Sequence, residues 1–339
     1  MIQFMVVIRC DSSHEIGIGH VKRCLSLAER LRQLKYTVHF CCKNRPGHSI
    51  HLIEKAGFPV IKLESDELVV SELEKIRQLS PYWVVIDHYQ IQADYESQIR
   101  TFSKVFVVDD LMSRKHDCDV LLDQNYRQTT TGYDQLVPKG CRILMGPGYS
   151  LLPLEIEDQK KSFQRQFDKK DRHVLAFFGG GDPTGEFQRF YASLQKSQLS
   201  CQYHLVAMSS HAHFEKLKTL SSTANIHLHL DPKNWLELLQ KNDFYFGSVG
   251  TVTWERFYFG LPGAVVTVAD NQVPVAAELH SQNWVYSYGN CSAIDYTQIL
   301  PQIEKWAWDS DFCQKMSNEI QKVVRPISRE LLTEIFGKS

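Results

Sequence analysis

Apolar and polar positions follow two rhythms along this chain. "FMVVIRC" (4–10), "YTVHFCC" (36–42), "WVVIDHY" (83–89), "KVFVVDD" (104–110) and "CDVLLDQNY" (118–126) are short, mostly apolar runs, several of which stop at charged residues. Between the first two, Val21, Cys24, Leu25, Ala28 and Leu31 fall at i, i+3, i+4 spacing, and the stretch around 71–79 reads as a second helix. Strands that are apolar throughout and separated by helices belong in a parallel sheet covered on both faces.

The pattern then breaks and restarts. "EIEDQKKSFQRQFDKKDR" (155–172) has too few apolar anchors for a core element and reads as a linker. Beyond it come "HVLAFFGGGD" (173–182), a helix near 187–194, "QYHLVAM" (202–208), "NIHLHL" (225–230), "DFYFGS" (243–248), a helix from about Thr251 to Phe259, and "AVVTVAD" (264–270). The chain has 339 residues, which at roughly 150 residues per domain suggests two. The expected architecture is α/β: two Rossmann-like domains, 1–155 and 172–312, facing across a cleft. In open parallel sheets ligands bind outside the carboxyl ends of the strands, where the polar residues of both halves cluster.

Composition narrows the function. A formal net charge of −1 carries no electrostatic footprint for nucleic acid or an anionic membrane. Ile2 to Ile8 has no basic residue before it and is cut off by Arg9 and Asp11, so it reads as a buried strand, not a signal peptide or membrane insertion. Nine cysteines without a CxxC spacing suggest a reduced, cytoplasmic protein.

Four stretches carry candidate chemistry. In "EIGIGHVKR" (15–23) Gly17 and Gly19 let backbone approach a ligand just before a helix whose first turn holds His20. The positive helix start favours an anion and a neutral, base-competent imidazole. Asp11 and Ser12 lie near enough to orient that ring, and "IDHY" puts Asp87, His88 and Tyr89 at a strand end. "FFGGGDPTG" places Gly180 and Gly181 in a loop able to cradle phosphate, without the lysine of an ATP-hydrolysing P-loop. "GSVGTVTWERFYFGLP" leads from Gly250, Thr251 and Thr253 into a helix start suited to a diphosphate, with Glu255 able to accept from two ribose hydroxyls. Asn271 and Gln272, before a helix expected at Pro274, can read sugar hydroxyls and acetamido groups. Each stretch also has a plain structural reading: tight turns for the glycines, helix caps for Glu255 and Asn271. No metal site is expected: His227 and His229 share the face of their strand opposite Ile226, Leu228 and Leu230, and neither His211/His213 nor "HDCD" (116–119) has a partner cluster.

Taken in order, "RCDSSHEIGIGHVKR", "VVIDHY", "VLLDQNY", "LVPKGCRILMGPGYSLL", "FFGGGD" and "TWERFYFGLPGAVVTVADNQ" resemble the UDP-2,4-diacetamido-2,4,6-trideoxy-β-L-altropyranose hydrolases of pseudaminic acid biosynthesis. That family is similar in fold to GT-B glycosyltransferases. The resemblance implies a sugar-binding N-terminal domain, a UDP-binding C-terminal domain, and a closing helix from about Cys313 that packs back on the first domain. It implies metal-independent, inverting hydrolysis of a UDP-sugar without a cofactor, with His20 as general base and Tyr89 in the active site. Ser13, Gly17, Gly19, Arg23 and Asp87 are the further substrate-binding candidates of this half. Two positions depart from the pattern: Pro153 stands where the family commonly has arginine, and the glycine loop continues as "GGGDPTGEF" without a polar asparagine. A glycosyltransferase using the same donor, and a non-catalytic nucleotide-sugar binding module, are the rival readings.

Overall fold

A computed structural model describes residues 4–13, 16–129, 131–211 and 213–337. The chain forms two compact units, 1–154 together with 325–339, and 155–324.

The first unit holds a parallel sheet of β1 (Met5–Cys10), β2 (Thr37–Lys43), β3 (Val60–Leu63), β4 (Trp83–Asp87), β5 (Lys104–Val108), β6 (Val120–Asp123) and β7 (Arg142–Met145), in the order β3-β2-β1-β4-β5-β6-β7. The second holds β8 (His173–Phe177), β9 (Gln202–Ala207), β10 (Ile226–Leu230), β11 (Phe244–Ser248), β12 (Gly263–Thr267) and β13 (Tyr286–Asn290), in the order β10-β9-β8-β11-β12-β13. Both sheets have Rossmann strand order, so each reverses its winding once: between β1 and β4, and between β8 and β11. In open parallel sheets such switch points are where ligands bind.

The buried runs are strands because both sheet faces are covered. Val6, Ile8, Val85 and Phe106 point into one core of the first unit, and Val7, Val84, Ile86 and Val107 into the other. β3, β7 and β13, which the hydrophobic pattern does not announce, are all sheet edges. An edge strand has one neighbour and needs less apolar surface.

The segment 155–172 is more than a connector. It opens inside the helix Leu154–Lys160, and Phe163 packs its ring against Phe259 at 5.4 Å. The Arg165 guanidinium donates to the carbonyls of Phe259 at 3.1 Å and Leu239 at 2.6 Å, satisfying the open ends of two helices. Counting apolar anchors misses this because the anchor is a buried arginine.

The closing segment also differs from expectation. The helix Ser310–Val323, which contains Cys313, stays with the second unit, and the return to the first begins at Arg325. Ser150 donates its N–H to Arg325 at 3.0 Å and accepts from Ile327 at 3.0 Å. The short helix Arg329–Phe336 then places Phe336 against Trp83 and Phe106, at 5.1 and 5.6 Å between ring centroids.

Candidate active site

In the first unit, helix α1 (Gly19–Gln33) follows β1 through a tight turn in which Gly17 donates its N–H to Ser13 at 2.8 Å. Gly17 has φ +75° with open space where a Cβ would lie, so backbone conformation and not crowding demands glycine there. The Ser13 hydroxyl accepts from Ile16 at 3.1 Å, which makes Ser13 a builder of this turn. Gly19 is the first residue of α1.

β1 and β4 are paired so that Cys10 lies beside Asp87, and this brings the Asp87 carboxylate under the first turn of α1. Nδ1 of His20 contacts Oδ1 of Asp87, and Arg23 closes on both carboxylate oxygens at 2.5 Å. The Cys24 thiol donates to Oδ2 at 3.5 Å. Burial alone would raise the Asp87 carboxyl, but the Arg23 charge and then His20 overcome it and hold the group well below the usual carboxylate range. An ionised carboxylate only accepts, so the proton in this contact lies on Nδ1. Nε2 of His20 has no hydrogen-bond partner among the described residues.

His88 is the contrasting histidine. Its Nδ1 accepts the Gln90 N–H at 3.0 Å and its Nε2 faces Asp11 at 3.1 Å, so neither nitrogen is left for a substrate proton. Burial pushes its pKa down, against the opposing bond to Asp11.

Asp11 therefore does not orient His20. It accepts from Arg9 at 2.6 Å, from the Lys43 backbone at 2.8 Å and from His88, and so fixes the ends of β1 and β2. Asp87, expected to bind substrate, is fully buried and takes the orienting role. Tyr89 packs edge-on against the imidazole at 4.5 Å and donates to Asp110 at 3.2 Å. Burial and then Asp110 push its phenol up, so it stays protonated and serves as a donor. Arg23 bridges the two carboxylates, reaching Asp110 at 2.9 Å.

Nothing local in the sequence marks Arg114, yet it holds this loop. Its guanidinium donates to the carbonyls of Tyr89, of Ile91 at 2.9 Å and of His88 at 2.9 Å, and to Asp109 at 3.2 Å.

In the second unit β8 and β11 lead into two glycine turns. Gly179 has φ +99°, the left-handed backbone of the first turn, whereas Gly180 and Gly181 do not. Gly180 accepts from the Ser210 hydroxyl at 2.7 Å. Asp182 caps the next helix through the N–H groups of Glu186 and Phe187, at 2.9 and 2.8 Å. A Cβ on Gly247 would stand 1.9 Å from the Phe177 carbonyl, so only glycine lets β11 run this close to β8. The buried Tyr245 hydroxyl ties both turns, 2.8 Å from the Phe177 carbonyl and 2.9 Å from that of Ser248.

The helix after Gly250 is Val252–Tyr258, only seven residues long. Any anion there would rely on individual N–H groups more than on a helix dipole. Thr251 is half-buried, while Thr253 is fully buried and its hydroxyl accepts from Gly250 at 3.3 Å, a capping role. Glu255 is turned by Trp235, whose indole N–H donates to Oε2 at 2.6 Å. Gln272 opens the helix Gln272–Ser281, two residues earlier than expected, and its Oε1 accepts from Val268 at 2.9 Å, whereas Asn271 is exposed. Among the described residues no group of three or more His, Cys, Asp or Glu could hold a metal ion, and no helix is long and apolar enough to cross a membrane. His227 and His229 instead join His173 and His204 on one sheet face, where His204 bonds to His173 and His229 at 2.9 Å each.

No family model matches the chain. It is 27% identical over 287 residues, 84% of this chain and 98% of the relative, to the UDP-2,4-diacetamido-2,4,6-trideoxy-beta-L-altropyranose hydrolase of Campylobacter jejuni. The crystal structure of Acinetobacter baumannii MurG matches with a TM-score of 0.65 at 12% identity, covering 99% of this chain and all of that one. The calicheamicin glycosyltransferase CalG4 matches with a TM-score of 0.66 at 12% identity, over 99% of this chain and 98% of that one. The fold is that of the GT-B glycosyltransferases.

Proposed function

We propose that the chain hydrolyses a UDP-linked diacetamido-trideoxyhexose at its anomeric carbon, releasing UDP and the free sugar, a step that fits pseudaminic acid biosynthesis. The observation that carries the reading is the Asp87–His20 pair, which holds the ring through Nδ1 and leaves Nε2 as the nitrogen to take a proton in this reading. Similarity along most of its length to a UDP-sugar hydrolase supports the substrate class.

In this reading Nε2 removes a proton from water. The water oxygen bonds to the anomeric carbon as the bond to the β-phosphate oxygen breaks, and that electron pair leaves with UDP. A single displacement inverts the anomeric centre. The imidazolium that forms is stabilised by ionised Asp87 beneath it. The 179–181 turn and the N–H groups of Thr251 and Val252 would meet the diphosphate, and Glu255, turned by Trp235, accepts from the ribose. Asn271 and Gln272 stand at the start of the next helix, where the amide nitrogen of Gln272 is the donor left to meet a ligand.

One turnover in oxygen-18 water tests the bond that breaks. The label belongs in the sugar, with UDP unlabelled; label in UDP would overturn the assignment. The fold likeness to glycosyltransferases supports a second reading, in which an acceptor hydroxyl replaces water. Release of UDP from UDP-diacetamido-trideoxyhexoses without any acceptor, followed by NMR, separates the two.

A further inference from the structure

Away from the ligand ends of the strands, Cys118 and Cys141 bring their sulfurs to 3.6 Å. We propose that they form a reversible oxidation site, an intrachain disulfide made by a peroxide, with Cys141 as the attacking thiol and Cys118 as the resolving one.

The backbone already has the geometry. β6 and β7 are paired with Val120 beside Arg142, and Arg142 donates its N–H to the Asp119 carbonyl at 2.9 Å. Asp119 thus lies next to Cys141, and Cys118 is one step diagonal from it. Neighbouring strands lie ~4.8 Å apart and one residue advances ~3.3 Å, which gives a Cα separation of roughly 6 Å, within the range of natural disulfides. The two sulfurs can join without moving a strand.

The surroundings assign the roles. Of the nine free cysteines, Cys10, Cys24, Cys41, Cys42, Cys118, Cys201, Cys291 and Cys313 are buried, and Cys141 is partly exposed. The hydrogen bond from Cys118 pulls the Cys141 thiol down, and the charges of Arg100 and His116 help, against burial and Asp119. The same bond and burial push the Cys118 thiol up. His116 supplies a positive charge because the nearby Asp109 carboxylate and its hydrogen bond to Glu96 outweigh burial and raise it to about 9. A partly exposed sulfur beside a buried one is the arrangement of an attacking thiol and its resolving partner.

The chemistry balances with hydrogen peroxide. The Cys141 thiolate attacks one peroxide oxygen; an S–O bond forms, the O–O bond breaks, and hydroxide leaves to become water. Cys118 then gives up its proton and attacks the Cys141 sulfur; the S–S bond forms and a second water leaves. Two sulfurs lose two electrons in total, and the peroxide gains them. The bond closes 119–140 into a covalent loop. That loop carries Arg127, which donates to the Asp110 carbonyl at 2.7 Å, and Tyr133, which donates to Asp109 at 2.8 Å. It therefore tethers the region beside Tyr89 without touching His20.

The test uses the intact folded chain. Iodoacetamide should label Cys141 at least ~10-fold faster than any other cysteine. After hydrogen peroxide, digestion should yield a peptide pair joining Cys118 to Cys141, two hydrogens lighter than the separate peptides and separated by dithiothreitol. Cys118→Ser should leave a sulfenic acid on Cys141 that dimedone captures, and Cys141→Ser should leave Cys118 unoxidised. Oxidised wild-type chain in which Cys118 still alkylates after unfolding would overturn the proposal. So would Cys141 bonded to a second chain, or labelling of Cys141 no faster than its neighbours.

Discussion

The imidazole of His20 and the carboxylate of Asp87 meet through Nδ1 and Oδ1, although 67 positions separate them in the chain. Asp87 is saturated by Arg23 on its other side, so the ring is held by a carboxylate that cannot turn away. Replacing His20 by alanine should lower turnover by about two to four orders of magnitude, the usual worth of a positioned base. UDP affinity should change little, because the proposed nucleotide contacts lie in the other unit. Steady-state rates together with UDP titration calorimetry check both halves; an unchanged turnover number would remove His20 from the mechanism.

His88→Gln separates the two neighbouring histidines. Both nitrogens of His88 are engaged, by Gln90 and Asp11. The variant should keep turnover within about tenfold of wild type, far from the loss at His20, while its melting temperature falls as the strand-end network loosens. A loss as large as that of His20→Ala would move the proton-transfer role to His88.

Glu255→Ala should weaken UDP binding by roughly tenfold or more, the scale of one charge-assisted pair of hydrogen bonds. Trp235→Phe keeps the carboxylate but removes its 2.6 Å donor, and should give an intermediate loss with normal folding. Calorimetry on both variants decides; wild-type affinity in a folded Glu255→Ala chain would return the residue to helix capping.

Stability should fall in alkali through His116. Its folded-state pKa is raised to about 9, above the ordinary ~6.5, by the Asp109 carboxylate 3.7 Å away and its 2.9 Å hydrogen bond to Glu96, acting against burial. A raised pKa contributes stability fully below about pH 6.5 and loses it as pH climbs through about 9. Melting temperature should drop across that window, and His116→Gln should flatten the drop. A profile identical in the two proteins would show that the ion pairs with Glu96 and Asp109 carry no such linkage.

The hydrolytic reading places no protein-held metal in the reaction. EDTA should leave UDP release intact; loss of activity restored by an added divalent cation would replace the backbone N–H account of leaving-group stabilisation.

The glycine-framed His20, the two parallel sheets and the turns after β8 and β11 are legible in the sequence. They rest on local rules: continuous apolar runs make covered strands, and glycine permits the sharp entry into a helix. The edge strands β3, β7 and β13 are not legible, since the same rules demand little apolar surface where a strand has one neighbour. Nor is the partner of His20. Asp11 and Tyr89 lie at the ends of the same runs, and nothing local prefers Asp87 over them. Only the pairing of β1 with β4 sets Cys10 beside Asp87 and turns that carboxylate under α1. Trp235 and Arg114 follow the same logic: their partners, Glu255 and the carbonyls of 88–91, belong to other segments. Local conformational preference writes the elements and the histidine into the sequence, while the hydrogen bonds that hold its ring arise from strand order, a property of the whole packed sheet.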